Sequence, residues 1–151
     1  MHFDVFNGDA DGILALLQLR LAEPKNSTLI TGVKRDIQLL QQVCASQAKS
    51  VTVLDISMEK NHQALEALLN NNVEVFYVDH HRSGDIPNSE YLKAIIDTDA
   101  NTCTSLLINQ YLHGEYVLWA ITAAYGDNMF SSADILAEEQ GLSTHEKSQL
   151  K

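Results

Sequence analysis

Hydrophobic and polar positions follow two different periods along this 151-residue chain. Five short runs rich in β-branched and aromatic residues predict strands, at His2–Phe6, Thr28–Val33, Val51–Asp55, Val73–Asp79 and Tyr91–Asp97. Leucines and isoleucines at helical spacing predict helices, at Gly12–Ala22, Asp36–Ala48, Glu59–Asn71, Thr102–His113 and Glu115–Tyr125. This alternation predicts a three-layer α/β/α fold with a five-stranded, mostly parallel sheet and additional helices at the C-terminal end.

The composition is that of a folded, water-soluble domain, with 45% hydrophobic and 20% charged residues. No apolar run approaches the roughly 18 residues that a membrane span needs, and no signal peptide precedes Asp4, so we expect a cytoplasmic protein. Cys44 and Cys103 lack a CxxC spacing and are expected to be buried, reduced thiols. Trp119 lies among apolar residues at helical spacing and is expected in the core.

The C-terminal end carries a helix-start signal close to the last residue. Ser143 followed by Glu146 is typical of a capping box, which opens a helix, yet the chain ends about one turn later at Lys151. We therefore expect one domain over residues 1–151 that is a fragment of a longer protein.

Acidic residues follow several of the predicted strands. The first strand runs into Asn7-Gly8-Asp9-Ala10-Asp11-Gly12, the third ends at Asp55, the fourth ends at Asp79-His80-His81, and a later helix ends near Asp127. In an open parallel sheet these carboxyl ends form the ligand-binding edge, where clustered carboxylates repel one another unless a cation joins them. Oxygen ligands with one imidazole suit Mn²⁺ or Mg²⁺. Taken singly, each aspartate could also be a turn former or a helix N-cap.

The formal net charge of −10 argues against a long polyanionic partner. Two bound divalent ions, each carrying two positive charges, would change it to −6 and remove the objection to a small phosphorylated substrate.

The motifs NGDADG, LD, DHH and GD, over Phe3 to Asp127, resemble those of the DHH phosphoesterase superfamily. That superfamily includes family-II inorganic pyrophosphatases, exopolyphosphatases, single-strand exonucleases, and nano-RNA and cyclic-dinucleotide phosphodiesterases. The resemblance implies strand order 2-1-3-4-5 and two divalent cations, with Mn²⁺ preferred and Mg²⁺ an alternative. It also implies a C-terminal substrate-binding domain, which these 151 residues do not contain.

The resemblance also implies roles for individual residues. Asp9, Asp11, His80 and Asp127 match metal ligands, and Asp55 matches the carboxylate that bridges the two metals. Asp79 matches a residue that orients the imidazole of His80. His81 matches a histidine that contacts substrate phosphate or protonates the leaving group. Asn7 departs from the pattern, since relatives often have His or Asp there, and an amide ligand should bind its metal more weakly.

Several further residues are candidates for substrate contact. Lys34, Arg35 and Arg82 follow predicted strands and could each hold a substrate phosphate, although a solvated surface charge is an alternative for all three. Residues 101–105, NTCTS, could bind an anion at a helix start or simply cap it.

These observations give one leading hypothesis and two alternatives. The leading one is a Mn²⁺-dependent phosphoesterase that acts on a small phosphorylated or short oligonucleotide substrate. This domain is not expected to hold a long nucleic acid, and a homodimer is a possible assembly. An inorganic pyrophosphatase or exopolyphosphatase is the first alternative. A non-catalytic metal- or nucleotide-binding module is the second.

Overall fold

A single parallel sheet forms the centre of the protein. The computed structural model describes residues 1–33, 35 and 37–151. The strands are β1 (His2–Asn7), β2 (Ser27–Gly32), β3 (Ser50–Leu54), β4 (Glu74–Asp79) and β5 (Leu92–Ile96). They pair in the order β2-β1-β3-β4-β5, and every pairing is parallel. The predicted fold class and strand order are thereby confirmed. The chain leaves β1 in one direction to form β2 and returns on the other side of β1 to form β3, so the strand order reverses there.

Helices cover both faces of the sheet. They are α1 (Ala10–Ala22), α2 (His62–Asn70), α3 (Thr104–Tyr111), α4 (Val117–Gly126), α5 (Phe130–Glu139) and α6 (Thr144–Leu150). Two short 3₁₀ helices lie at Leu39–Gln42 and Glu59–Asn61. One core cluster joins α2 and the first 3₁₀ helix to one face, and a second joins α1 and α3 to the other. No helix in the described part of the chain has the length and apolar character needed to cross a membrane.

Strand β3 shows how the two core layers arise from one sequence. Val51 and Val53 face the cluster that contains α2, whereas Leu54 faces the cluster that contains α1. All three side chains are almost completely buried, and burying each of them contributes about 1.5–3 kcal/mol to folding. A third cluster joins α3, α4 and α5 beyond the sheet.

The predicted helix over Asp36–Ala48 is wrong. Asp36 lies outside the described residues, and the rest of the segment contains only the 3₁₀ turn Leu39–Gln42 and irregular structure. Buried Asn61 explains the difference, because its side chain accepts from the Leu40 N–H at 3.2 Å and donates to the Ile37 carbonyl at 2.6 Å. These bonds replace the partners that a helix would have supplied to the backbone.

Other differences lie outside the sheet. Cys44 is exposed, not buried as expected, while Cys103 is buried. Trp119 is 44% exposed, so its assignment to the core was wrong. Helix α5 escaped prediction because its buried contacts are the two small residues Ala133 and Ala137. The capping box of Ser143 and Glu146 is confirmed at the start of α6.

Candidate metal centre

The connection from β1 to α1 is very tight. A Cβ on Gly8 would lie 2.2 Å from the carbonyl oxygen of Gly32, and one on Gly12 would lie 2.1 Å from that of Asn7. Both positions therefore exclude any side chain. Asp9 is the N-cap of α1, with its carboxylate accepting the Gly12 N–H at 3.0 Å. The Asn7 side-chain oxygen accepts the N–H of Asp9 at 3.3 Å.

Asp11 points from the first turn of α1 into the protein and is only 1% exposed. Its carboxylate accepts the N–H of Ser105 at 2.7 Å and that of Thr104 at 3.0 Å. These are free N–H groups of the first turn of α3, where a negative charge is stabilised by the helix dipole. The anion that residues 101–105 bind is thus a side chain of the protein itself.

Asp55 follows β3 in a left-handed backbone conformation, with φ of 63°. Only glycine, asparagine and aspartate visit this region with ease. The Asp55 N–H donates to the carbonyl of Val78 at 3.0 Å, which ties the turn to β4. Its carboxylate is 2% exposed and accepts the Thr104 hydroxyl at 3.1 Å.

His80 brings the separate acids together. Its Nε2 lies 3.1 Å from Asp55 Oδ1, 3.4 Å from Asp11 Oδ2 and 4.0 Å from Asp127 Oδ2. Asp11 and Asp55 follow β1 and β3, the strands at the reversal of strand order, His80 follows the neighbouring strand β4, and Asp127 follows α4. Asp9 lies close enough to Asp55 for its charge to raise the pKa of the Asp55 carboxyl.

Asp79 and His81 form a second pair beside this cluster. Asp79 Oδ1 lies 2.7 Å from His81 Nδ1. Asp79 therefore holds His81 in this structure, whereas the family resemblance implies that it orients His80. The other carboxylate oxygen of Asp79, Oδ2, is buried and has no hydrogen-bond partner among the described residues.

The carboxylates of the cluster lie close enough to Asp55 to shift its pKa. Burial, followed by the neighbouring charges of Asp11 and Asp9, raises the pKa of Asp55 well above its ordinary range. The hydrogen bond to Asp79 raises the pKa of His81, and burial raises the pKa of the nearby Cys103 thiol. Within the described residues, no lysine or arginine forms an ion pair with Asp11, Asp55 or Asp79.

The residues fit a divalent cation. Ligand atoms of Asp55, Asp79, His80 and His81 lie within 4.8 Å of one another, as do those of Asp11, His80 and Asp127. Carboxylate oxygens with imidazole nitrogen are ligands of Mn²⁺ and Mg²⁺. The unpartnered Oδ2 of Asp79 supports this interpretation, because a buried charged oxygen is costly unless something positive compensates it.

A cavity of about 350 Å³ adjoins the cluster, and its lining includes Asn7, Asp55, His81 and Arg82 together with Ile37 and Ile56. Arg82 is highly exposed, with its Nε 3.4 Å from Glu59 Oε2. Arg35 lines a different cavity, beside Gln38 and Gln42. Lys34 lies outside the described residues. Of the three basic candidates, the structure thus brings Arg82 to this cavity and Arg35 to another.

Thr104 and Ser105 belong to the segment for which the sequence left anion binding and simple helix capping open, and their contacts with Asp11 and Asp55 were not predicted. Their N–H groups hold Asp11, and the Thr104 hydroxyl reaches Asp55, 49 residues away along the chain. No local pattern encodes a contact at that separation. The capping signal predicted an anion here, but not which one.

No protein-family model matches the sequence, and no curated protein sequence matches it. Solved structures do resemble it in fold. The exonuclease RecJ bound to manganese matches with a TM-score of 0.58 and 19% identity, over 91% of this chain and 42% of that one. RecJ from Thermus thermophilus in complex with Mn²⁺ matches with a TM-score of 0.55 and 20% identity, over 83% of this chain and 21% of that one.

The protein therefore has an α/β fold of the kind found in a metal-bound exonuclease. The fold and the strand order that the four-motif resemblance implied are confirmed. The chain spans less than half the length of either RecJ chain.

Proposed function

We propose that this chain is the metal-binding catalytic domain of a phosphoesterase that hydrolyses phosphodiester or phosphoanhydride bonds of a small phosphorylated or nucleotide substrate. The observation that carries the proposal is the convergence of Asp11, Asp55, His80 and Asp127 at one edge of the sheet. The manganese in both RecJ structures supports Mn²⁺ as the preferred ion.

The proposal includes two ions. Asp11, Asp55, His80 and Asp127 would hold one, and Asn7, Asp9 and Asp55 the other, with Asp55 shared between them. Bound there, divalent cations supply an activated water and neutralise charge on the phosphoryl oxygens. Of these proposed ligands, Asp11 and Asp55 are nearly completely buried, so bulk water has little access to their carboxylates.

His81 is the proposed proton donor to the leaving group. Asp79 binds its Nδ1 at 2.7 Å, which leaves Nε2 for the substrate, and His81 lines the adjoining cavity. An acid of this kind needs a fixed orientation, and the buried Asp79 provides it. Arg82 lines the same cavity and is proposed to bind a phosphate in exchange for Glu59. That exchange is inexpensive because an exposed ion pair contributes at most about 1 kcal/mol.

The cavity favours a small substrate. Its volume of about 350 Å³ is at the lower end of the range for small-molecule sites. The net charge of −10 disfavours a long polyanion on this domain. A further C-terminal domain that selects the substrate remains part of the proposal, in keeping with the small share of the RecJ chains that this one spans.

A non-catalytic metal-binding module is the second candidate, and Asn7 is the observation that favours it. Its side-chain oxygen is neutral and already accepts the N–H of Asp9. The ion on that side would be held more weakly than the ion beside His80, and a single ion would leave the water less activated.

Metal titration with a substrate panel tests the proposal on the full-length protein. Isothermal titration calorimetry counts bound Mn²⁺, while turnover is measured on bis(p-nitrophenyl) phosphate, pyrophosphate, polyphosphate, cyclic dinucleotides and di- to pentanucleotides. We expect two Mn²⁺ per chain and hydrolysis of phosphodiesters. One Mn²⁺ without turnover would establish the module, hydrolysis of pyrophosphate alone would establish a pyrophosphatase, and no Mn²⁺ binding would refute the metal centre.

A further inference from the structure

Helix α3 begins directly against two of the candidate metal ligands. Thr104, its first residue, is fully buried. Its backbone N–H donates to Asp11 Oδ2 at 3.0 Å, and its hydroxyl donates to Asp55 Oδ1 at 3.1 Å. One residue therefore holds a carboxylate from the β1 side and a carboxylate from the β3 side at the same time.

We propose that Thr104 is a positioning residue that fixes the carboxylates of Asp11 and Asp55 relative to each other before cations bind. This inference rests on the metal binding that is part of the proposed function, and not on the hydrolysis. Thr104 itself contacts neither substrate nor metal in this proposal, and it acts through the two aspartates.

The physical need for such a residue follows from repulsion. Asp11 and Asp55 are both nearly completely buried, and each raises the free energy of the other's charge. Like charges in this environment separate when nothing holds them, and a metal site tolerates only small errors in ligand position. A donor to each carboxylate opposes that separation.

Threonine suits the position for two reasons. Its β-branched side chain has few rotamers, so the direction of the hydroxyl is well defined. Water cannot easily replace it, because Thr104 has no exposed surface. The loss of the hydroxyl would therefore leave Asp55 Oδ1 without that donor.

Substitution by valine separates positioning from packing. Thr104→Val keeps the shape of the side chain and the backbone N–H to Asp11 but removes the donor to Asp55. Thr104→Ser keeps a hydroxyl at this position and should therefore keep the affinity for Mn²⁺. The matched control is Thr52→Val, because Thr52 is also buried and its hydroxyl bonds Arg20 and His2 at the opposite end of the sheet.

The measurement is the Kd for Mn²⁺, obtained by calorimetry on the full-length protein, with unfolding midpoints of the metal-free variants recorded alongside. We expect Thr104→Val to weaken Mn²⁺ binding by about 10–100-fold, as is typical when a partner of a metal ligand is lost. Thr104→Ser should bind nearly as the wild type does. Thr52→Val should lower the unfolding midpoint and leave the Kd unchanged.

An unchanged Kd in Thr104→Val would overturn the inference, as would an equal loss of affinity in Thr52→Val. If Thr104→Val does not fold, Thr104→Ala removes the same hydroxyl without adding volume and is expected to show the same loss. A wild type that binds no Mn²⁺ would refute the proposed function together with this inference. A wild type that binds Mn²⁺ and hydrolyses nothing would refute the proposed function alone, since the effect of Thr104 on affinity would stand.

Discussion

Buried acids lie near both ends of strand β1, and their surroundings are opposite. At the amino end, Asp4 is fully buried and lies 2.6 Å from Arg20 Nη2 and 2.8 Å from Arg20 Nε, and it also accepts the hydroxyl of Ser27. Beyond the carboxyl end, Asp11 and Asp55 are as deeply buried. Among the described residues, the basic side chain beside them is the imidazole of His80.

The difference appears in the direction of the pKa shifts. Burial alone would raise the pKa of Asp4, but hydrogen bonds from Arg20 and His2 lower it well below its ordinary range. The pKa of Asp55 is raised by burial and by neighbouring carboxylates. A buried acid paired with a cation of the same chain stays ionised, and the loss of either partner destabilises the fold, whereas a buried acid among other acids needs a proton or an added cation.

The largest expected effect comes from removing the carboxylate at the carboxyl end that we propose is shared between two cations. Asp55→Asn keeps a residue that tolerates the left-handed backbone and removes the charge. We expect phosphodiester turnover to fall by at least about 10²–10³-fold, the loss typical of removing one electrostatic contribution to a transition state. The free energy of unfolding of the metal-free protein should not fall, because repulsion is relieved. Normal turnover in this variant would refute the assigned mechanism.

The amino end should respond in the opposite way. Asp4→Asn leaves Arg20 without its buried partner and should lower the free energy of unfolding by about 3 kcal/mol, measured by urea denaturation. Mn²⁺ affinity should stay unchanged. Asp85→Asn, at an exposed aspartate, is the control and should shift the free energy by less than about 0.5 kcal/mol.

The pH dependence sharpens this second prediction. Because the folded-state pKa of Asp4 lies below the unfolded-state value of about 3.9, its contribution to stability is present above that pH and is lost as the pH falls through the folded-state pKa. The stability gap between wild type and Asp4→Asn should therefore be widest near neutral pH and shrink below about pH 4. A gap that is constant with pH would contradict the ion-pair interpretation.

The smallest expected effect concerns the two sides of the metal centre itself. Asn7→His replaces a neutral amide with an imidazole and should strengthen the weaker Mn²⁺ site by about tenfold, or about 1.4 kcal/mol. Calorimetry of the second binding event measures it, with Asn70→His, at an exposed asparagine of α2, as the control. Unchanged affinity would show that residue 7 does not contact the ion.

Much of the fold was predictable because its signals are local. The runs that became β1 to β5 are rich in β-branched and aromatic residues, and the capping box at Ser143 was visible in the sequence. The strand order came from the family resemblance. The segment after β2 was mispredicted because Asn61, outside the segment, supplies its backbone partners.

Part of the candidate site was likewise predictable from the sequence, and part was not. The clustering of acids at one edge follows from their positions at the ends of parallel strands. The pairing of Asp79 with His81 and the contact of Thr104 with Asp55 depend on side-chain directions and on distant chain segments. Neither is contained in the motifs that identify the residues.

The left-handed turn at position 55 limits how the proposed metal centre can be altered. Glutamate would offer the same carboxylate one carbon further out, yet the backbone there suits aspartate, asparagine or glycine, and glycine has no ligand atom. Redesign for a larger ion would have to begin elsewhere, for example at Asp127, where φ is −96° and longer residues are admitted. The backbone conformation at Asp55 therefore restricts how far from the main chain this carboxylate can lie.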